Sequence, residues 1–167
     1  MPEKETMQRA RRDKRQGKAP TTQAGEFIRE EMHHIREGKH GARSSRQAIA
    51  IGLSKARRSG VELPPPQRGA ASEKTRKSAA RDYTRGQTRG SQKKSATRSR
   101  ATLSALKREG HGAASHEALA DQARSASRRR SGTQRSSAAR KAAQTKGAGV
   151  RSAAARKAAQ TRALHAH

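Results

Sequence analysis

Residues 26–60 read EFIREEMHHIREGKHGARSSRQAIAIGLSKARRSG, and this stretch decides the fold. Ile28, Met32 and Ile35 follow one another at spacings of four and three, which places them on one face of a helix. A second apolar run follows after a short Gly-containing connection. Two amphipathic helices joined in this way favour an antiparallel αα-hairpin.

The second helix is expected to begin at Ser44, because Ser44 and Gln47 have the spacing of a capping box. Ser59-Gly60 is a typical C-terminal end for this helix. The resulting module, residues 22–63, has about 40 residues, which is the lower size limit for independent folding. We therefore expect it to need a partner or a second copy, and a homodimer through this module is one such arrangement.

The rest of the chain is short of the side chains that build a core. The whole chain of 167 residues includes 40 Lys and Arg against 13 Asp and Glu, for a formal net charge of +27. Phe27 and Tyr83 are the only aromatic residues, and there is no Cys. Low hydrophobicity with high net charge is typical of disorder. The expected fold class is therefore mostly α with extensive disorder, a small αα-hairpin plus a conditionally helical basic low-complexity tail.

The distribution of charged and of large apolar side chains divides the chain into four parts. Residues 1–21 are predicted to be a disordered basic arm, and residues 22–63 the helical hairpin module. Three consecutive prolines at 64–66 favour an extended segment, so residues 64–92 are predicted to be a Pro/Gly/Ser-rich basic linker. Residues 93–167 are predicted to be an Ala/Arg-rich tail with marginal helices that phosphate would stabilise.

Two repeats occur in the chain. RSSAARKAAQTK at residues 135–146 recurs as RSAAARKAAQTR at residues 151–162, with ten of twelve positions identical. Drawn as a helix, each copy gathers its alanines on one side, opposite an Arg-Lys pair. A weaker echo relates REGKHGA at residues 36–42 to REGHGA at residues 108–113. Both of these stretches, residues 36–42 and residues 108–113, are expected to be Gly-rich turns that lead into capped helices.

The charge excess points to nucleic acid as the partner, because it is the commonest polyanion in a cell. Guanidinium groups grip phosphate in a two-point fork, and Arg outnumbers Lys by 27 to 13. With almost no aromatic side chains for base stacking, neutralisation of a duplex backbone fits better than base readout. We expect a histone-like, nucleoid-associated cytoplasmic protein that binds DNA without sequence specificity. The candidate contacts are Arg9, Arg11, Arg12, Lys14, Arg15, Lys55, Arg57, Arg58, Arg128, Arg129, Arg130, Arg140, Lys141, Arg156 and Lys157.

Two other functions remain open. One is an RNA- or ribosome-associated basic protein, and the other is a disordered partner-binding or stress-related protein with incidental nucleic-acid affinity. An enzyme is not expected, since no motif proposes a substrate or a rigid catalytic pocket. No cofactor, small-molecule substrate or membrane partner is expected either. No stretch has the length of a membrane span, and no secretory signal is found.

The histidines invite a metal interpretation, which the sequence does not favour. His33 and His34 are adjacent and point about 100° apart on a helix, which suits chelation poorly. His40 follows in the turn, but no Cys or carboxylate arrangement completes a zinc set. We therefore expect no metal site and histidines on a polar helix surface.

The segment RQAIAIGLSKA at residues 46–56 resembles a group of small basic bacterial proteins of uncharacterised function. The similarity covers residues 26–60, where Met32 and Gly38–His40 match the group's first helix and turn. Gly52 stands where such sequences usually have Ala, which should weaken the second helix slightly. The resemblance implies a bacterial origin and brings no activity with it. By composition, the tail is similar to those of bacterial histone-like and linker-histone-like proteins.

Overall fold

The computed structural model describes residues 2–88 and 95–164, and over those ranges the chain is mostly helical and contains no strand. It forms two units, one reaching Gln122 and the other beginning at Ala123. The mostly α fold class is confirmed. The elements are α1 (Lys4–Arg15), α2 (Pro20–Arg36), α3 (Ser45–Arg58), α4 (Glu73–Gln87), α5 (Ala96–Lys107), a 3₁₀ turn (Gly112–Ala114), α6 (His116–Arg128) and α7 (Gly132–Leu164).

The N-terminal arm is helical, which corrects the prediction of disorder for residues 1–21. Helix α1 packs against α2. Its inward face carries Thr6, Ala10 and Asp13, which are all buried. These residues share a face because they are spaced by four and three, but they are small or polar. The inward face of α1 therefore lacks the large apolar side chains that would indicate a packed helix in the sequence.

Helices α2 and α3 pack against each other, as the hairpin pattern predicts. The Ser44 hydroxyl accepts a hydrogen bond from the backbone N–H of Gln47 at 3.3 Å, which confirms the predicted start of α3. Gly38 after α2 and Gly60 after α3 have φ values of +72° and +87°. This left-handed conformation is available to glycine at little cost, and it ends both helices.

Gly52 lies where α3 comes closest to α2. A Cβ atom at this position would lie 2.8 Å from Cα of Ile28 and 3.0 Å from its backbone nitrogen. Gly52 costs α3 some intrinsic helix stability, but it also allows the two backbones to approach this closely.

Two clusters of buried apolar side chains hold the first unit together. Helix α1 contributes to the first cluster and the 3₁₀ turn to the second. Other segments of the same chain therefore cover apolar faces of the hairpin. The first cluster consists of Ala10, Ala24, Phe27, Ala56, Val61 and Leu63, with Met7 and Leu53 against it. The second consists of Met32, Ile35, Ala42, Ala48, Ala113 and Ala114, with Ile28, Ile49 and Leu119 against it.

Residues 64–92, predicted to be a linker, contain α4, which packs against α3. Ala79 is buried in this contact. The hydroxyl of Ser54 on α3 donates a hydrogen bond to a carboxylate oxygen of Asp82 on α4. The linker prediction is therefore corrected for most of this segment. The predicted boundary between residues 92 and 93 lies outside the described residues.

The two Gly-rich stretches that echo each other in sequence contact each other in the fold. The N–H of Gly41 donates to the carbonyl oxygen of Leu106 at 2.9 Å, and the N–H of Ala42 donates to that of Gly110 at 3.1 Å. The first unit therefore includes α5 and the 3₁₀ turn, both of which were predicted to belong to the tail.

Replacing Gly41 with Ala is expected to detach the second Gly-rich stretch from the first. The new Cβ would lie 1.9 Å from the carbonyl oxygen of Glu109, a backbone atom that cannot turn aside. Losing the two backbone hydrogen bonds should cost roughly 1–3 kcal/mol. Hydrogen exchange should show faster exchange at the amides of residues 41 and 42, with α3 still protected. Gly112→Ala is the matched control, because nothing lies within 4 Å of its Cβ position. Unchanged exchange in Gly41→Ala would contradict this account.

The second unit contains the end of α6 and all of α7. Gly147, with a φ of +63°, interrupts α7 between the two twelve-residue repeats. The repeats at 135–146 and 151–162 therefore occupy separate helical segments, and most of their side chains are exposed. That phosphate stabilises these helices stays a prediction.

Candidate nucleic-acid interface

Arg57, one of the fifteen predicted contacts, lies inside the first unit. Its Nε donates to the carbonyl oxygen of Leu63 at 3.1 Å, and its Nη2 donates to that of Pro64 at 3.4 Å. Burial lowers the pKa of the Arg57 guanidinium. Arg57 therefore fixes the chain that leaves α3, and its inclusion among the phosphate contacts is corrected.

Lys55 is also engaged within the fold. Its Nζ lies 2.6 Å from Oε2 of Glu31 and 3.4 Å from Oε1 of Glu30, and both carboxylates are buried on α2. An ammonium that leaves these carboxylates strands buried negative charge, which is strongly unfavourable. Lys55 is therefore corrected from a phosphate contact to part of the α2–α3 packing.

The cations of α1 divide into two groups. Arg9 Nε donates to Oε2 of Glu26 at 2.7 Å, and this hydrogen bond raises the pKa of Arg9. Lys14 Nζ donates to Oε1 of Glu62 at 2.7 Å, which lowers the pKa of that carboxyl. The remaining predicted contacts of this helix are exposed: Arg11, Arg12 and Arg15.

Arg58 lines a cleft of about 540 Å³, together with residues of α4 and α5. Its Nε lies 3.9 Å from Oδ1 of Asp82. Arg85 and Arg98 stand on the same cleft, and neither is among the contacts predicted from the sequence. Tertiary folding brings these three arginines together from three helices, so no spacing in the sequence could reveal them.

The predicted contacts of the second unit are all exposed. Residues 123–167 contain 12 Lys and Arg and no Asp or Glu, since the last acidic side chain in the sequence is that of Asp121. No acidic side chain within residues 123–167 can therefore neutralise the cations of this unit. The predicted contacts here are Arg128, Arg129, Arg130, Arg140, Lys141, Arg156 and Lys157.

The histidines of the hairpin have different surroundings. His33 is exposed, whereas His40 is buried and the side chain of His34 is only 13% exposed. Glu31, His34 and His40 each offer one ligand atom, and these atoms lie within 4.8 Å of one another. A carboxylate therefore does stand near the histidines, contrary to the prediction, because the turn after α2 brings His40 back to Glu31.

A family match lies within the first unit. None of the described helices combines the length and the apolar character that crossing a membrane requires. Neither curated proteins nor solved structures give a match. Over residues 5–68, which include α2, α3 and nearly all of α1, the chain is similar to a family of unknown function, DUF6496.

Proposed function

We propose that this protein binds duplex DNA without reading its sequence, through the cations of its second unit, as a histone-like protein of the bacterial nucleoid does. One observation carries the proposal. Residues 123–167 hold 12 cationic side chains and no Asp or Glu, and the predicted contacts among them are exposed, with the two Arg-Lys pairs on helical segments. Such a surface attracts a polyanion along its whole length.

The mechanism is release of counterions from the phosphate backbone. Each phosphate that a Lys or Arg neutralises frees a condensed counterion, and this favours binding at low salt. Contacts of this kind position a protein on a duplex and carry no sequence information. The two Arg-Lys pairs, at 140–141 and 156–157, recur at the same position of each repeat and supply such contacts on both sides of Gly147.

The first unit contributes differently. Its exposed cations on α1 offer a second, smaller patch, while Lys55 and Arg57 stabilise the fold. A chain with two cationic surfaces can contact two stretches of duplex and compact DNA. Dimerisation through residues 22–63 would multiply these contacts, and it stays a prediction.

Binding should weaken steeply with salt. We expect the logarithm of the association constant for a short duplex to fall linearly with log salt, by about 0.9 per phosphate contact. A chain that makes about 6–10 contacts loses about 10³–10⁵-fold in affinity between about 50 mM and 200 mM salt. Fluorescence anisotropy of a labelled duplex measures this slope. An affinity that does not change with salt would rule out the electrostatic mechanism.

The same titration distinguishes the RNA alternative. Unlabelled duplex DNA, duplex RNA and single strands are added as competitors at one salt concentration. We expect duplex DNA of unrelated sequences to compete equally, and single strands to compete less, because Tyr83 alone lies outside the hairpin for base stacking. A clear preference for RNA would replace DNA by RNA as the partner.

A further inference from the structure

A compact group of metal-ligand side chains lies at the C-terminal end of α2. Glu31 and His34 are three residues apart on this helix, so they are neighbours on one face. Gly38, with its left-handed backbone, turns the chain so that His40 returns to them. The side chains of Glu31 and His40 are 1% and 8% exposed.

The hydrogen bonding of His40 directs its second nitrogen to the carboxylate. Nδ1 lies 3.0 Å from the carbonyl oxygen of Gly41, which can only accept, so Nδ1 is the donor. In a neutral imidazole Nε2 then has a lone pair, and Nε2 lies 2.7 Å from Oε1 of Glu31. Two acceptors at this distance need a proton or a metal ion between them. A backbone carbonyl is one of the usual acceptors for the second ring N–H of a metal-ligating histidine.

The carboxylate of Glu31 is held in a similar way. Lys55 Nζ approaches Oε2 to 2.6 Å, an ion pair that lacks aligned hydrogen-bond geometry, while Oε1 faces His40. One oxygen is therefore oriented by an outer partner and the other is directed at the cluster. The third residue is oriented as well, since Nε2 of His34 lies 2.9 Å from Oε1 of Glu3.

We propose that Glu31, His34 and His40 bind one divalent transition-metal ion, with Zn²⁺ as the best fit. Two imidazole nitrogens and one carboxylate oxygen form a donor set that zinc accepts, and magnesium or calcium would prefer oxygen ligands. Glu-x-x-His spacing also supplies metal ligands in helical bundles.

The site is accessible to an ion from solvent. Glu31 and His40 both stand on the wall of the 540 Å³ cleft next to α5. Ligands about 2.0–2.2 Å from a tetrahedral zinc lie roughly 3.3 Å apart, so the contact between Nε2 and Oε1 opens slightly on binding. A bound ion would join α2 to the turn that carries Gly41 and would stabilise the first unit.

The test is metal binding by the full chain with His165→Ala and His167→Ala, which remove the histidine pair at the C-terminus. Titration with Co²⁺, followed by visible absorption, and with Zn²⁺, followed by calorimetry, should give one ion per chain. Absorption bands of tetrahedral Co²⁺ are expected, and Zn²⁺ should displace them. Zn²⁺ should also raise the unfolding temperature as its concentration rises.

Three variants in this background decide whether the ion sits in the cluster. His34→Ala and Glu31→Gln should lower Zn²⁺ affinity at least about tenfold, the smaller end of what even outer-shell changes cost. Glu31→Gln keeps the side-chain volume, so its loss of binding is not a loss of packing. His33→Ala is the matched control, because its exposed imidazole lies next in sequence to His34, and its affinity should be unchanged. Absence of one-to-one binding, or an equal loss in His33→Ala, would overturn the proposal and leave the contact between His40 and Glu31 as part of the packing of the first unit.

Discussion

Phe27→Ala is expected to destabilise the first unit by about 3–5 kcal/mol, the usual cost of deleting a buried phenyl ring. Phe27 is fully buried, and its cluster includes Ala10, Ala24 and Ala56. Methyl groups cannot extend into the space that the ring leaves, so the cavity persists and the loss should lie at the upper end of this range. Since small domains are stable by about 5–15 kcal/mol, one substitution removes much of the total.

The unfolding of the first unit can be followed without interference from the second. Tyr83 on α4 is the only Tyr or Trp of the chain, so its fluorescence during urea unfolding reports this unit. Leu103→Ala is the matched control, because Leu103 is 45% exposed and should change stability by less than about 0.5 kcal/mol. Phe27→Leu should fall between the two. Equal midpoints for Phe27→Ala and Leu103→Ala would show that the α1–α2 core does not hold the unit together.

The parts of the fold that the sequence predicts are those with strong local rules. Ser44 and Gln47 specify the start of α3 by a capping interaction within four residues. The spacing of Ile28, Met32 and Ile35 specifies which face of α2 packs, and the pairing with α3 follows. Each of these features depends on neighbours in the sequence, and for that reason the sequence reveals them.

The features that the sequence does not reveal depend on distant contacts. Helix α1 buries Thr6 and Ala10, which have no apolar bulk to indicate a core. Arg57 is a cation like any other in the sequence. In the fold its guanidinium is buried and donates to carbonyl oxygens after α3, so it does not belong to the exposed charged surface. Composition alone treats every cation as exposed. The two carboxylates opposite Lys55 and the return of His40 to Glu31 likewise become visible only in the fold.

The division of cations between the two units determines how charge removal should affect DNA binding. Gln at the seven predicted contacts of the second unit should lower the salt slope by up to about 6, because each lost phosphate contact removes about 0.9. Affinity for duplex should fall by orders of magnitude at about 50 mM salt. Gln has nearly the helix propensity of Arg and Lys, so α7 keeps its helical tendency while its charge falls. The seven residues are Arg128, Arg129, Arg130, Arg140, Lys141, Arg156 and Lys157.

Two matched variants distinguish the effect of lost charge on DNA binding from the effect of altered side-chain shape. Exchanging the five arginines among these seven residues for Lys keeps every charge, so the salt slope should stay the same even if the loss of guanidinium forks weakens binding. Gln at seven exposed alanines of α7 alters as many side chains as the first variant but leaves the charge unchanged, and should leave the slope unchanged. The exposed Arg11, Arg12 and Arg15 of α1 remain in all three proteins. If the charge-depleted variant kept the slope of the original chain, these first-unit cations would carry the binding, and the second unit would lose its proposed role.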